Sequence, residues 1–208
     1  MTALAMELDH VVLGVTDLEA AARRLENRHR LTAVPGGRHE SAGTHNWIVP
    51  LGDAYLELLA VENEAAAQTS PFGRWVLERA RGADAWLGWC LRTDDLDGVC
   101  ERLGLEPMAM ERGKLSWRIA GVQRVWADPS LPFFIQWDVP DDQLPGRAGG
   151  PTSASDARLS ALEIGGDEAA VRAWAGDLPG SVRIVDGPPG ILAVAVAGAA
   201  GVEVIRGQ

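Results

Sequence analysis

Cysteine, positive charge and long apolar runs are all scarce in this chain of 208 residues. The two cysteines, Cys90 and Cys100, are too few for a disulfide framework. Lys and Arg number 19 against 29 Asp and Glu, and the net charge of −10 argues against binding to nucleic acid or to an anionic membrane surface. No apolar run reaches the roughly 20 residues that a membrane-spanning helix needs. From the net charge and the short apolar runs together, we expect neither a nucleic-acid nor a membrane partner.

The first ten residues, MTALAMELDH, also lack the basic stretch followed by an apolar one that marks a signal peptide. Together with the scarcity of cysteine, this favours a reduced, cytoplasmic protein. Phe and Tyr are rare as well, with three Phe and one Tyr against eight Trp, so Trp supplies most of the rigid aromatic surface. A content of 47% apolar and 23% charged residues is typical of a folded rather than a disordered chain.

What the sequence does contain is an internal repeat. The segment ELDHVVLGVTDLEAAARRL at 7–25 aligns with AWLGWCLRTDDLDGVCERL at 85–103, and each predicts an apolar strand, a polar corner and a helix. Further along, DAYLELLAV at 53–61 resembles PFFIQWDV at 132–139. The order of one strand, one helix and three strands therefore occurs twice.

This repeat predicts two βαβββ modules, at 7–61 and 85–139, in a paired domain that covers 1–140 and includes a helical linker at 62–84. A fainter third copy of the same order follows a linker rich in Pro, Gly and Ser, at 155–208. We therefore predict an α+β fold in which the tandem modules form a curved, half-open mixed sheet with helices outside, plus a third degenerate module. The concave face is the expected site for a small-molecule ligand. The apolar face of the third module favours packing within the chain or a homodimer.

These segments resemble the vicinal oxygen chelate superfamily and, within it, the glyoxalase-like domain family. The resemblance is carried by LDHVVLGVTDL, GGRHESAGTHNWIVPLGDAYLELLAV, PFGRW, LRTDDLD and LPFFIQWD, and it covers nearly all of residues 7–140. In the metal enzymes of this superfamily, four side chains from the first and last strands of each module hold a divalent cation on the concave face. That cation chelates neighbouring oxygens of the substrate and stabilises an oxyanion as a Lewis acid.

By position, the resemblance places these four ligands at His10, Glu57, Gly88 and Gln136. Imidazole and carboxylate are ordinary ligands of a divalent metal, the amide oxygen of Gln136 is a weak one, and Gly88 has no side chain. The resemblance thus implies one of two states. Either one divalent metal (zinc, iron, manganese or nickel) is held by His10, Glu57 and Gln136, or there is no metal.

Strand alternation adds candidates for ligand contact in the second module. Trp86 and Arg92 share a face with Gly88, where the missing side chain would widen the pocket, and Phe134 shares a face with Gln136. Two of these candidates have a structural alternative, with Trp86 in the core and Arg92 in a salt bridge.

In the first module, His45 and Asn46 lie in GGRHESAGTHNW, a polar segment that fits ligand contact and loop capping equally well. Trp137 is expected to face away from the pocket, because it alternates with its neighbour. Glu57 stands among apolar neighbours in YLELLAV, where a carboxylate needs a partner, a metal or a proton. We take Glu57 as the candidate catalytic base.

Two functions of different classes fit these residues. The first is an enzyme of lyase, isomerase or dioxygenase type that uses a divalent metal at His10 and Glu57, with help from Gln136. The second is a metal-free protein that binds and sequesters a small molecule, such as a drug or another aromatic ligand, on a concave face lined by Trp. A degenerate scaffold with neither role is a third interpretation, and the sequence does not identify a substrate.

Overall fold

A computed structural model describes residues 6–147, 156–199 and 201–206 of the chain. The first module consists of β1 (Glu7–Gly14), α1 (Leu18–His29), β2 (Val34–His39), β3 (Thr44–Leu51) and β4 (Ala54–Val61). A linker with α2 (Glu64–Thr69) and α3 (Pro71–Arg79) follows. The second module consists of β5 (Ala85–Arg92), α4 (Leu96–Leu103), β6 (Met108–Arg112), β7 (Leu115–Ala120), α5 (Val122–Ala127) and β8 (Phe133–Trp137).

The remaining elements are β9 (Arg158–Gly165), α6 (Glu168–Ala175), β10 (Val182–Val185), β11 (Gly190–Gly198) and β12 (Gly201–Ile205). Helix α5 has no counterpart in the first module. Within the described part of the chain, no helix combines the length and the apolar character that crossing a membrane requires.

Helices α1 and α4 begin in the same way, because the repeat places an aspartate before each of them. The carboxylate of Asp17 accepts a hydrogen bond of 2.8 Å from the backbone N–H of Ala20, and that of Asp95 accepts one of 2.8 Å from Gly98. Each bond satisfies an N–H group that a helix N-terminus leaves unpaired. The repeat therefore fixes where both outer helices start.

The two modules form one curved sheet of eight strands in the order β2-β3-β4-β1-β5-β8-β7-β6. The first strand of each module runs parallel to the last, and β1 and β5 join the modules as an antiparallel pair. The predicted α+β fold of tandem βαβββ modules with helices outside is confirmed. The sheet curves until its two edge strands, β2 and β6, come into contact. Arg112 at the end of β6 packs so closely on Gly37 of β2 that a Cβ at Gly37 would lie 2.2 Å from Cδ of Arg112.

The last elements keep the predicted order but pair differently. They form a second sheet with the order β10-β9-β11-β12, in which β9 runs parallel to β10 and antiparallel to β11. In the first module, by contrast, the first strand pairs with the last. One face of the second sheet is covered within the chain, since Ile164, Val194 and Trp174 belong to the same core as α1 and α4.

Two apolar clusters lie on opposite faces of the eight-stranded sheet. The larger one, the helix-covered core, joins α1, α4, α6 and the second sheet. The smaller one lies on the concave face, where Val12 and Leu87 pack against Val76 of α3, with Phe72 and Trp75 beside them. The linker helix thus fills part of the concave face and leaves a smaller area for a functional site.

Candidate functional site

His10 and Glu57 lie together on the concave face, because their strands β1 and β4 are neighbours in the sheet. Nε2 of His10 is 3.7 Å from Oε2 of Glu57. The imidazole stacks on Tyr55 with 4.5 Å between the ring centroids, and it meets Phe133 edge-on at 5.2 Å. These contacts fix the plane of the imidazole, so the two residues form a close pair in a defined orientation.

Asp9, which the sequence analysis does not single out, holds the other side of the imidazole. The pairing of β1 with β5 is irregular between Leu8 and His10, and a β-bulge of this kind redirects a side chain. Asp9 is 1% exposed, and its Oδ1 lies 2.6 Å from Nδ1 of His10. A carboxylate oxygen only accepts, so Nδ1 carries the hydrogen, and Nε2 is the ring nitrogen that faces Glu57.

Two more side chains of the second module surround Asp9. Nε1 of Trp137 donates a hydrogen bond of 2.9 Å to Oδ2 of Asp9, so the expectation that Trp137 faces away is wrong. Nη1 of Arg92 lies 3.6 Å from the same oxygen, and the guanidinium also donates to Glu7. The structure therefore places Arg92 in an ion pair that balances the buried charge of Asp9.

Asn46 fixes Glu57 from the neighbouring strand β3. Nδ2 of Asn46 donates to Oε1 of Glu57, and Oδ1 of Asn46 accepts a hydrogen bond of 2.7 Å from the backbone N–H of Gly37. Asn46 is 5% exposed, whereas the side chain of Glu57 is 13% exposed. The carboxylate is therefore the group of this pair that a ligand can reach.

Arg112 brings a positive charge to the site from the opposite edge of the sheet. It stands at the end of the edge strand β6, and its side chain reaches towards β3, where its Nη1 is 3.4 Å from Oδ1 of Asn46. Its guanidinium lies over the ring of Trp117, 5.7 Å from the ring centroid, which is a cation–π contact. Gly37 permits this approach, because a side chain there would collide with Arg112. The repeat gives no sign of Arg112.

His39 lies near the same polar side chains, since the charges of Glu57 and Arg112 both act on it. Its Nδ1 is 3.0 Å from Oγ1 of Thr44. Burial lowers the pKa of His39 from its ordinary value of 6.5. The negative charge of Glu57 raises this pKa in part, and the positive charge of Arg112 lowers it. His39 is therefore neutral at neutral pH and adds an uncharged hydrogen-bonding group to the site.

The lowered pKa of His39 predicts a loss of stability in mild acid that His39→Gln should reduce. As the pH falls from 6.5 towards the pKa of His39 in the folded state, the unfolded chain takes up a proton that the folded chain does not, so the free energy of unfolding decreases. One such group changes this free energy by at most about 1.4 kcal/mol per pH unit. Urea denaturation between about pH 7.5 and pH 5 should show a shallower decrease for His39→Gln than for the wild type.

His45 provides the matched control for that measurement. Its Nδ1 lies 3.9 Å from Oε1 of Glu62, and alternation along β3 puts it on the side away from Asn46, so the structure does not bring His45 into the cluster. His45→Gln keeps the His39 ring and removes only the weakest of the charges that lower its pKa, so its slope should stay closer to that of the wild type than the slope of His39→Gln does. Equal slopes for the wild type and His39→Gln would contradict the prediction.

Gln136 lies on the outer face of the sheet, on the side away from His10 and Glu57. Its Oε1 accepts hydrogen bonds of 3.2 Å from the backbone N–H of Leu96 and 2.7 Å from Nη2 of Arg118, and its Nε2 donates to the backbone oxygen of Asp94. The side chain therefore caps the start of α4. This corrects the expectation that Gln136 is a metal ligand beside His10.

Phe134 lies on the outer face too, in the helix-covered core, whereas Phe133 meets His10 on the concave face. The two faces of β8 are therefore the reverse of those that the sequence predicts. The odd-numbered residues Phe133 and Trp137 point to the site, and the even-numbered ones pack under the helices. Phe134 stabilises the core, where it meets Trp174, and does not contact the site.

Gly88 does not widen the pocket. A Cβ at this position would lie 2.8 Å from Cγ1 of Val125, so helix α5 packs into the space that the glycine leaves. The pairing of β1 with β5 is irregular between Val12 and Leu13, and the alternation along β5 shifts there. Trp86 consequently lies in the helix-covered core and not beside the site, which corrects the expectation that it contacts a ligand.

Among the described residues, the donor atoms on the concave face do not complete a cation site. Asp9, His10 and Cys90 offer ligand atoms within 4.8 Å of one another, but Asp9 already bonds His10 and Trp137. Burial raises the pKa of Cys90 well above its ordinary value, and the charges of Asp9 and Glu57 add to this, whereas a thiol must lose its proton to bind a metal. His10 and Glu57 remain as two good ligands, which is fewer than the three or more that protein zinc sites use.

Comparison with known proteins places this geometry in a family. A family model described as a glyoxalase-like domain matches residues 8–178. A hypothetical protein from Staphylococcus aureus has a similar structure, with a TM-score of 0.64 and 18% identity over 92% of this chain and 81% of its own. Methylmalonyl-CoA epimerase from Mycobacterium tuberculosis gives a TM-score of 0.47 and 21% identity over 64% of this chain and 88% of its own. No curated protein matches the chain.

Proposed function

Because the chain belongs to the glyoxalase-like domain family of the vicinal oxygen chelate superfamily, we propose that it acts on a small molecule bound on its concave face, by proton transfer and without a resident metal. The pair formed by Nε2 of His10 and Oε2 of Glu57, 3.7 Å apart, is the observation that carries this proposal. The incomplete donor set supports the absence of a metal, since Gln136 caps a helix and Gly88 has no side chain.

In this proposal, Glu57 removes a proton from the ligand. Asn46 holds one carboxylate oxygen, so the other faces His10 and the open part of the cluster. The proton can stay on Glu57 or pass to Nε2 of His10, and the same groups can return it to the product. If His10 accepts the proton, the carboxylate of Asp9 on its other nitrogen stabilises the imidazolium.

Arg112 is placed to stabilise the negative charge that such a transfer creates. When a C–H bond next to a carbonyl group breaks, its electron pair moves to the carbonyl oxygen, and a nearby guanidinium lowers the free energy of that oxyanion. The substrate class that fits is therefore a small carbonyl acid, such as a 2-oxo acid, with an oxygen directed at Arg112. Return of the proton to the same carbon gives exchange, and delivery to a neighbouring atom gives isomerisation.

Exchange of hydrogen for deuterium tests the proposal without the natural substrate. Pyruvate, 2-oxobutyrate and related 2-oxo acids are incubated with the protein in D₂O, with a chelator present, and followed by proton NMR. The C–H groups next to the carbonyl should exchange faster with the protein than in buffer alone. Binding without exchange would support a metal-free sequestering protein instead, and the absence of both would reject this substrate class.

Metal analysis gives a second, independent prediction. Protein purified without chelator should contain less than about 0.1 equivalents of zinc, iron, manganese or nickel, because two protein ligands do not make a tight site. His10→Ala is the matched control, and its metal content should equal that of the wild type. Stoichiometric metal that disappears in His10→Ala would contradict a metal-independent site.

We infer a reducing, cytoplasmic environment from the two cysteines. Cys90 and Cys100 are both buried and unbridged, which suits a compartment that keeps thiols reduced. The homodimer expected from the sequence remains a proposal. It is supported by β12, an edge strand on which Val202 is 65% exposed.

A further inference from the structure

A cavity lies on the outer side of the eight-stranded sheet, between α1 and β12. Its volume is about 250 Å³. It is lined from four parts of the chain, by Arg24 and Arg28 of α1, by Leu13 of β1, by Asp84 just before β5, and by Ile205 and Arg206 at the end of β12. Leu13 belongs to the helix-covered core, so this cavity is on the face opposite to the candidate functional site.

The rim of the cavity is basic in a chain whose net charge is −10. Arg24, Arg28, His29 and Arg206 line it, and Asp84 is the one carboxylate among the described residues that do so. Asp84 pairs with Arg24 and Glu203 bonds to His29, so that Arg28 and Arg206 remain in excess among the described residues of the rim. Arg28 stands four residues from Arg24 on the same helix face, where like charges repel, and Asp84 offsets the charge of Arg24 only.

Below the rim, the wall of the cavity is apolar. Leu13, Ala21, Leu25 and Ile205 line it, and all four are buried. A volume of about 250 Å³ is many times the roughly 10–15 Å³ that one water molecule needs, so the cavity has room for several methylene groups. The cavity therefore combines a cationic rim with room for a short alkyl chain.

We propose that this cavity binds a medium-chain monocarboxylate, with its carboxylate between Arg28 and Arg206 and its alkyl chain against Leu25 and Ile205. Guanidinium groups pair with carboxylates through two parallel hydrogen bonds, and the alkyl chain gains affinity by leaving water. Beside the cavity, His29 of α1 and Glu203 of β12 bond to each other. The ligand thus bridges the first module and the second sheet.

Isothermal titration calorimetry with a series of linear acids tests the proposal. Affinity should rise about tenfold for every two carbons from butanoate to octanoate, and it should level off for dodecanoate, whose chain exceeds the cavity. Arg28→Met should weaken octanoate binding about tenfold or more. The matched control is Arg79→Met at an exposed arginine of α3, which should bind octanoate as the wild type does.

Amide chemical shifts locate the ligand independently of these variants. Octanoate should shift the signals of Leu25 and Ile205, and Glu57→Gln should bind octanoate with the wild-type affinity, which separates this cavity from the concave face. Three results would overturn the proposal: octylamine binding as tightly as octanoate, acetate binding as tightly as octanoate, or an unchanged affinity in Arg28→Met.

Discussion

Replacing Glu57 with glutamine is expected to slow the protein-dependent exchange of deuterium into 2-oxo acids by about 10²–10⁴-fold, the usual contribution of a general base. Glutamine has nearly the shape of glutamate, and its oxygen can still accept the hydrogen bond from Nδ2 of Asn46. Its amide takes up no proton at neutral pH. The fold is therefore kept while the base is lost, and proton NMR at several substrate concentrations should show a decrease in kcat that exceeds any change in KM.

Glu62→Gln is the matched control for this experiment. Glu62 follows the same strand and carries the same group, but it pairs with Arg38 at 2.7 Å near the surface. This variant should exchange at the wild-type rate. If Glu57→Gln also exchanged at that rate, Glu57 would not be the base, and the proton transfer would have to be assigned to another residue of the cluster.

The repeat is the reason that the fold could be predicted from the sequence. Two copies of the same strand, corner and helix pattern predict two modules that pack side by side, and Asp17 and Asp95 cap the first helix of each copy in the same way. Within the first module, the first strand β1 lies next to the last strand β4, which brings His10 to Glu57. The repeat and the family resemblance therefore predict both His10 and Glu57 as residues of the site.

The faces of the second module could not be read in the same way, because strand alternation assumes a regular strand. Pairing irregularities in β1 next to Leu8 and Leu13 change which side chains face inwards. They turn Asp9 towards the imidazole of His10 and leave Trp86 in the helix-covered core. A bulge depends on the partner strand as well as on the local sequence, so the local pattern did not reveal it.

Arg112 shows a second limit of the sequence. It lies far from Asn46 in the chain and at the opposite end of the strand order, and it reaches the site because the sheet curves until its edges meet. The pairing of the second sheet is a third limit. Its elements follow the predicted order, but β9 pairs with β10 and β11, which only the packing of the whole chain decides.

Replacing Asp9 with leucine is expected to lower the free energy of unfolding by about 3–5 kcal/mol, which is typical when one member of a buried ion pair is removed. The carboxylate is 1% exposed, and three side chains depend on it: Nδ1 of His10, Nε1 of Trp137 and the guanidinium of Arg92. Leucine fills a similar volume but accepts no hydrogen bond. It therefore leaves the N–H donors of His10 and Trp137 without an acceptor and takes one of two carboxylates away from Arg92, which keeps Glu7. Urea denaturation followed by Trp fluorescence measures the loss.

An exposed aspartate shows what the loss of a carboxylate costs at the surface. Asp53 pairs with Arg147 at 2.6 Å and is 69% exposed, so Asp53→Leu should lower the free energy of unfolding by less than about 1 kcal/mol. Asp9→Asn keeps one of the two acceptor oxygens. Its amide oxygen can still accept from Trp137, whereas the carboxylate charge and the oxygen that accepts from Nδ1 of His10 are lost, so its loss should fall between those of the two leucine variants. If Asp9→Leu were no less stable than Asp53→Leu, the buried carboxylate would not hold His10 in place, and the orientation of the His10–Glu57 pair would have to come from the aromatic rings alone.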